Sequence, residues 1–211
     1  MDFSAAIFDL DGTLIDSNSV WEKIDAKMLE KRGIRCKSSF AASLAAMTYE
    51  DVAAEMQKLG VKETTEELIR EFNEMAATEY RYNIFLKDYA DEYLTYLKGR
   101  GVRIALATAS PRALYEPVLR NNRAYGYFDA FCTVDDVGKS KDHPDIYLYA
   151  ASKLGVSPAD CVVFEDVLKG IVSAKNAGMY AVGVYDKYSA EDIVTIRAAA
   201  DKFIMNFSEM M

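Results

Sequence analysis

The 211-residue sequence predicts an α/β fold, a doubly wound parallel sheet with a helical segment inserted after its first strand. Three observations predict it. From residue 86 onward, short apolar runs alternate with helical stretches, the pattern of parallel strands joined by crossover helices. Residues 17–85 hold no convincing strand and repeat apolar side chains at helical spacing, as in Val20, Ile24 and Met28 or Leu68, Phe72 and Met75. Residues 5–13, AAIFDLDGT, read as a buried strand ending in two carboxylates one residue apart. That is where a parallel sheet holds its ligand.

Taken in order, the first strand spans 4–9. Helices follow at 18–32, 38–46, 48–59 and 64–82. Gly33 and Gly60 suit helix C-termini, and Thr48 with Asp51 and Thr64 with Glu67 suit N-terminal caps. The alternating part then runs helix 88–99, strand 102–107, helix 111–121, strand 131–134, helix 144–154 and strand 161–164. It ends with helix 167–177, strand 180–184, helix 189–199 and strand 203–205. The sheet needs the first strand, so the expected domains are a Rossmann-like core, 1–16 and 86–211, and a helical cap, 17–85. A helical domain directly behind the first loop is placed to act as a lid.

The formal charge of −8 argues against a nucleic-acid binder, which carries a basic face. A phosphorylated substrate remains open, because lysine, arginine and metal dominate the field inside a cleft. Cys36, Cys132 and Cys161 are far apart, no C-x-x-C occurs, and His143 is the only histidine. Those counts argue against a zinc site, and free thiols fit a reducing compartment. Asp9 and Asp11 interrupt the N-terminal apolar run, and no run approaches the roughly 18 apolar residues of a membrane span. The expectation is a cytoplasmic protein without membrane or nucleic-acid partners, a monomer or weak dimer.

The chemistry lies at the predicted strand ends. Asp9 and Asp11 repel one another, which a divalent cation relieves, and a carboxylate there is also able to attack phosphorus. An Asx-turn followed by a glycine loop is the plainer reading of the same residues. After the strand at 102–107 come Thr108, Ala109 and Ser110, then Pro111 at a helix start, a place that suits an anion or a simple cap. Lys141 precedes the helix opened by Pro144 and suits a phosphoryl oxygen, with Lys139 a nearby competitor. Glu165 and Asp166 follow the apolar run CVVF and suit magnesium, a hard ion that prefers oxygen. Taken singly, each signal also fits an ordinary turn, cap or surface charge. Together they end four separate strands, and parallel strands bring those ends to one edge.

These motifs in this order resemble the haloacid dehalogenase-like superfamily over essentially the whole chain. Within it they are most similar to the capped phosphatases and the β-phosphoglucomutase-like enzymes (subfamily IA). The resemblance implies that Asp9 is the nucleophile and Asp11 the general acid and base. It implies Mg2+ held by Asp9, the backbone carbonyl of Asp11 and Asp166, with Glu165 assisting. Thr108, with the backbone at Ala109 and Ser110, and Lys141 would bind the phosphoryl group. The implied activity is magnesium-dependent hydrolysis of a small phosphorylated metabolite, such as a sugar phosphate or phosphoglycolate, through an aspartyl-phosphate.

Two departures stand out. Relatives often carry Pro-Gly before the helix at 88–99, where this chain has Phe85, Leu86, Lys87 and Asp88. The mutases carry a histidine on the first cap helix at the position of Trp21, which favours hydrolysis over the mutase alternative. Asn18 and Trp21 are the first substrate candidates in the cap, followed by Met47 and Arg81. Trp21 equally suits packing between cap helices. From another class, a receiver-type phospho-Asp signalling domain also places acids, Thr and Lys at strand ends, but it lacks so large a helical insertion. A catalytically silent binding protein is the remaining alternative.

Overall fold

The computed structural model describes residues 3–34 and 49–211. The helix expected at 38–46, with Cys36, Met47 and Thr48, lies outside the described residues. Two compact units form, Met1–Asp16 with Phe85–Met211, and Ser17–Ile84.

The first unit is built on six parallel strands: β1 (Ala5–Phe8), β2 (Arg103–Thr108), β3 (Ala130–Thr133), β4 (Cys161–Glu165), β5 (Tyr180–Val184) and β6 (Lys202–Ile204). Their spatial order is β3-β2-β1-β4-β5-β6. The chain therefore winds outward from β1 in one direction, then returns to β1's other side and winds outward again. The central strands are continuous apolar runs because both faces are covered. One face packs Ile7, Ala105 and Val163 against α7 (Asp145–Leu154) and α8 (Leu168–Asn176). On the other, Phe8 and Phe164 stack with ring centroids 4.6 Å apart, and Tyr93 and Phe207 pack beside them.

The remaining helices of this unit are α4 (Ala90–Gly99), α5 (Arg112–Asn121), α6 (Val134–Val137) and α9 (Ile193–Ala199). Two boundaries differ from expectation by more than one residue. The helix expected over 189–199 starts as a 3-10 turn, Lys187–Asp192, and becomes α-helical only at Ile193. Its cause is Asp186, whose carboxylate accepts the Tyr188 amide at 2.9 Å and tightens the turn. The helix expected from residue 88 starts at Ala90, because Tyr89 adopts φ +63°, a left-handed conformation that a side chain resists. Tyr89→Gly is expected to raise stability by about 0.5–1 kcal/mol, checked by urea unfolding, since relief of strain outweighs the added freedom of the unfolded chain.

The second unit holds α1 (Asn18–Lys31), α2 (Tyr49–Lys58) and α3 (Thr65–Tyr82). Helix α3 opens with a reciprocal cap: Thr64 accepts the Glu67 amide at 3.3 Å, and Glu67 accepts the Thr64 amide at 2.9 Å. Val20, Ile24, Met28, Leu68 and Phe72 are all buried, as their spacing requires. Asp25 is buried among them, and its Oδ1 has no partner among the described residues.

Burial, and then the charge of Glu22, push Asp25 up from 3.8 to about 7. A carboxyl whose folded pKa exceeds its unfolded one stabilises the fold only while protonated. Stability is lost as pH rises from about 4 through about 7, by about 1.4 kcal/mol per unit of displacement. Asp25→Asn removes that slope. The variant should gain about 4 kcal/mol over wild type at pH 8 relative to pH 4, read from urea unfolding at both pH values.

Candidate active site

Sheet register decides what meets at the top of the first unit. Phe8 pairs with Phe164 on β4 and with Leu106 on β2, so Asp9, Glu165 and Thr108 emerge from adjacent strands. Asp9 stays in the ladder, its amide donating to the Phe164 carbonyl at 3.0 Å. The β1–β4 junction is also where the winding direction reverses, the place where open parallel sheets bind ligands. After Asp9 the chain turns tightly, with the Leu14 amide donating to Leu10 at 2.9 Å. Gly12 takes φ +80° in that turn, which is why a glycine stands there.

Asp9, Glu165 and Asp166 are all buried, and each brings a carboxylate oxygen within 4.8 Å of the others. Lys141, from the loop before α7, donates to Asp9 Oδ1 and, at 2.7 Å, to Glu165 Oε1. The Tyr147 hydroxyl on α7 donates to the same Glu165 oxygen at 2.6 Å. Asp166 is held by Thr13 at 3.0 Å on Oδ1 and by Ser189 at 3.3 Å on Oδ2.

Asp11 is half-buried, and its carboxylate lies outside that trio. It accepts the Ser110 hydroxyl at 2.7 Å. Thr108 is fully buried and accepts the Ser110 amide on its hydroxyl at 2.9 Å. Ala109 between them is exposed.

The trio carries three carboxylates against one ammonium. Burial raises the pKa of Asp166 well above its ordinary value, and the charges of Asp9 and Glu165 add to that. Burial raises Glu165 too, against the opposing pull of Lys141. At Lys141 burial works downward, but the charges of Asp9 and Glu165 outweigh it and push the ammonium up. Glu165 Oε2 is buried without a partner among the described residues. Excess negative charge, an orphaned carboxylate oxygen and an all-oxygen donor set fit a hard divalent cation.

Of the two lysines that the sequence offers, Lys141 enters the site, 13% exposed. Lys139 pairs with Asp145 at 2.7 Å at the surface, 51% exposed. In the second unit, Asn18 opens α1 and Trp21 stacks on Phe72, rings 5.6 Å apart and inclined by 2°. Arg81 is exposed, its guanidinium 6.0 Å from the Tyr82 ring centre.

Sequence pattern does not single out Tyr147, Gly170 or Ser189. Gly170 lies on α8, one turn beyond Asp166, and a Cβ there would come within 2.4 Å of the Glu165 carboxyl carbon. The signal available for it is a glycine four residues after the Glu-Asp pair, on a helix that turns back over the strand end.

Residues 3–178 match the model of the haloacid dehalogenase-like hydrolase family. The chain belongs to this family. Among relatives of this hydrolase is the validoxylamine A 7'-phosphate phosphatase of Streptomyces hygroscopicus subsp. limoneus, 30% identical over 99% of this chain and 96% of that protein. Hexitol phosphatase B of Escherichia coli K12 is 30% identical over 85% of this chain and 82% of its own. Among solved structures, a Thermotoga maritima protein assigned as a β-phosphoglucomutase superposes with a TM-score of 0.86. It is 25% identical, covering 95% of this chain and 94% of that one. This haloacid dehalogenase-like hydrolase is thus an enzyme of phosphoric monoester hydrolysis, built on the family's Rossmann-like core. Among the described residues, no helix is long and apolar enough to cross a membrane.

Proposed function

We propose that the protein is a magnesium-dependent phosphatase of small phosphate monoesters, with Asp9 as the nucleophile and the helical unit as its cap. The observation that carries the reading is Asp9 paired with Lys141 and clustered with Glu165 and Asp166 at the sheet's switch point.

Asp9 attacks phosphorus in line with the ester oxygen, and the P–O bond to the substrate breaks. Asp11, protonated at that stage, gives its proton to the leaving oxygen. Water then attacks the aspartyl-phosphate, Asp11 takes the water's proton, and phosphate leaves with the Asp9 carboxylate restored. Lys141 offsets charge on the phosphoryl oxygens, and Thr108 with the Ala109–Ser110 backbone orients them. The Ser110 hydroxyl on Asp11 fixes that carboxyl's direction. Asp9, Asp166, the Asp11 carbonyl and Glu165 would hold Mg2+, whose chemistry is to neutralise and align the phosphoryl group.

Relatives named for hexitol and validoxylamine phosphates support a sugar-like or other small polyol phosphate as substrate; a phosphoglycolate-like ester is the other small candidate. The buried free thiols Cys132 and Cys161 support a reducing, cytoplasmic setting. Likeness to a β-phosphoglucomutase favours a second reading, a phosphomutase; Trp21, at the position of the mutases' cap histidine, speaks against it.

A panel of sugar, sugar-alcohol and short-chain phosphates, run with Mg2+ and with EDTA, tests the proposal. Phosphate release that EDTA removes and Mg2+ restores is expected. No hydrolysis across the panel, or full activity in EDTA, contradicts it. Isomerisation of a hexose phosphate that depends on added bisphosphate would favour the mutase.

A further inference from the structure

Asp166 is held on both oxygens, and one of its two holders belongs to no catalytic motif. The Ser189 hydroxyl reaches Oδ2 from the loop after β5. That loop is itself built on Asp186, a buried acid. Asp186 Oδ1 accepts the Tyr188 amide at 2.9 Å, and its carbonyl accepts the Ser189 amide at 3.2 Å. The other carboxylate oxygen of Asp186 takes an ion pair from Lys87 at 2.8 Å, and Lys87 also donates to the Tyr185 carbonyl at 2.8 Å.

Lys87 is 15% exposed and lies where the chain re-enters the first unit. Its backbone is pinned there: the Lys87 amide donates to Leu14 at 2.9 Å, and Asp16 donates to Phe85 at 3.1 Å. A half-buried ammonium with two acceptors fixes a loop more firmly than a neutral side chain does.

We propose that Lys87 and Ser189 are positioning residues for Asp166: the Lys87–Asp186 pair sets the loop, and the loop's Ser189 sets the direction of the Asp166 carboxylate that would face the metal. This rests on the phosphatase reading above. Groups that orient a ligand act on metal affinity before they act on chemistry.

The test is Mg2+ titration of the purified protein by calorimetry, beside the Mg2+ dependence of phosphate release. Ser189→Ala should weaken Mg2+ binding about tenfold with an unchanged urea midpoint, and Ser189→Thr, which keeps the hydroxyl, should restore it. Lys87→Met should weaken it at least as much, and Lys87→Met with Ser189→Ala should be no worse than Lys87→Met alone. Wild-type affinity in Ser189→Ala overturns the proposal, and so does a double variant in which the two losses multiply. Ser189 is half-buried, so its variant decides the matter if Lys87→Met does not fold. A wild-type protein that neither binds Mg2+ nor hydrolyses phosphate esters overturns the phosphatase reading and this proposal with it. Wild-type binding with unaltered variants overturns this proposal alone.

Discussion

Asp9→Asn should lower kcat for phosphate release by about 10⁴-fold or more while the protein stays folded. The amide is nearly the same shape, so the Asp9 backbone bond to Phe164 and the β1–β4 ladder persist. What disappears is the attacking oxygen's charge and one of the two carboxylates around Lys141. Lys141 keeps Glu165, which spares the buried ammonium from isolation and limits the loss of stability. Asp11→Asn should behave differently. It slows both formation and breakdown of the intermediate, and a better leaving group should rescue only the first step. Steady-state kinetics with a sugar phosphate and with para-nitrophenyl phosphate separates the two variants. Near-wild-type turnover in Asp9→Asn would remove Asp9 as the nucleophile.

Gly170→Ala should be the most damaging small change outside the acids. Its Cβ would lie 2.4 Å from the Glu165 carboxyl carbon and 2.7 Å from both oxygens. Glu165 has nowhere to retreat, since it is fully buried and held by Lys141 and Tyr147. Either α8 shifts or the carboxylate leaves Lys141, and overpacking together with a disrupted buried ion pair costs about 3 kcal/mol. Displacing Glu165 also releases Lys141 from its place beside Asp9, so kcat should fall at least about tenfold. Gly126→Ala, where nothing lies within 4 Å of the added carbon, is the matching control and should change neither quantity. Urea unfolding and kcat measured on both variants check this. Wild-type values for Gly170→Ala would mean that the close approach does not constrain the site.

The sheet was legible because most strands are short apolar runs next to polar residues, and β1 runs directly into D-x-D-G-T. Asp9, Glu165 and Asp166 were legible for the same reason, since an acid directly behind a buried strand is costly unless a cation or a donor compensates it. The family resemblance pointed to Lys141, but residue pattern alone left Lys139 as a competitor. The two lysines are two residues apart on one loop, and only its path turns one inward and pairs the other with Asp145. Tyr147 reads as an ordinary core aromatic on an amphipathic helix, and nothing local reveals that its hydroxyl meets a buried carboxylate. Ser189 was hidden because residues 189–199 read as one helix; the 3-10 start depends on Asp186 bonding its own neighbours, a local preference that apolar periodicity does not report. Tyr89 shows the opposite failure, a residue whose backbone geometry favours glycine and whose identity gives no hint of it.

The most direct measurement is a borohydride quench during turnover with substrate and Mg2+, followed by peptide mapping. Borohydride reduces an aspartyl-phosphate to homoserine and leaves free carboxylates alone. Homoserine at position 9, appearing only with substrate and absent from Asp9→Asn, is the expected result. Sustained turnover with Asp9 unmodified, or homoserine at another acid, would contradict the claim that Asp9 carries the phosphoryl group.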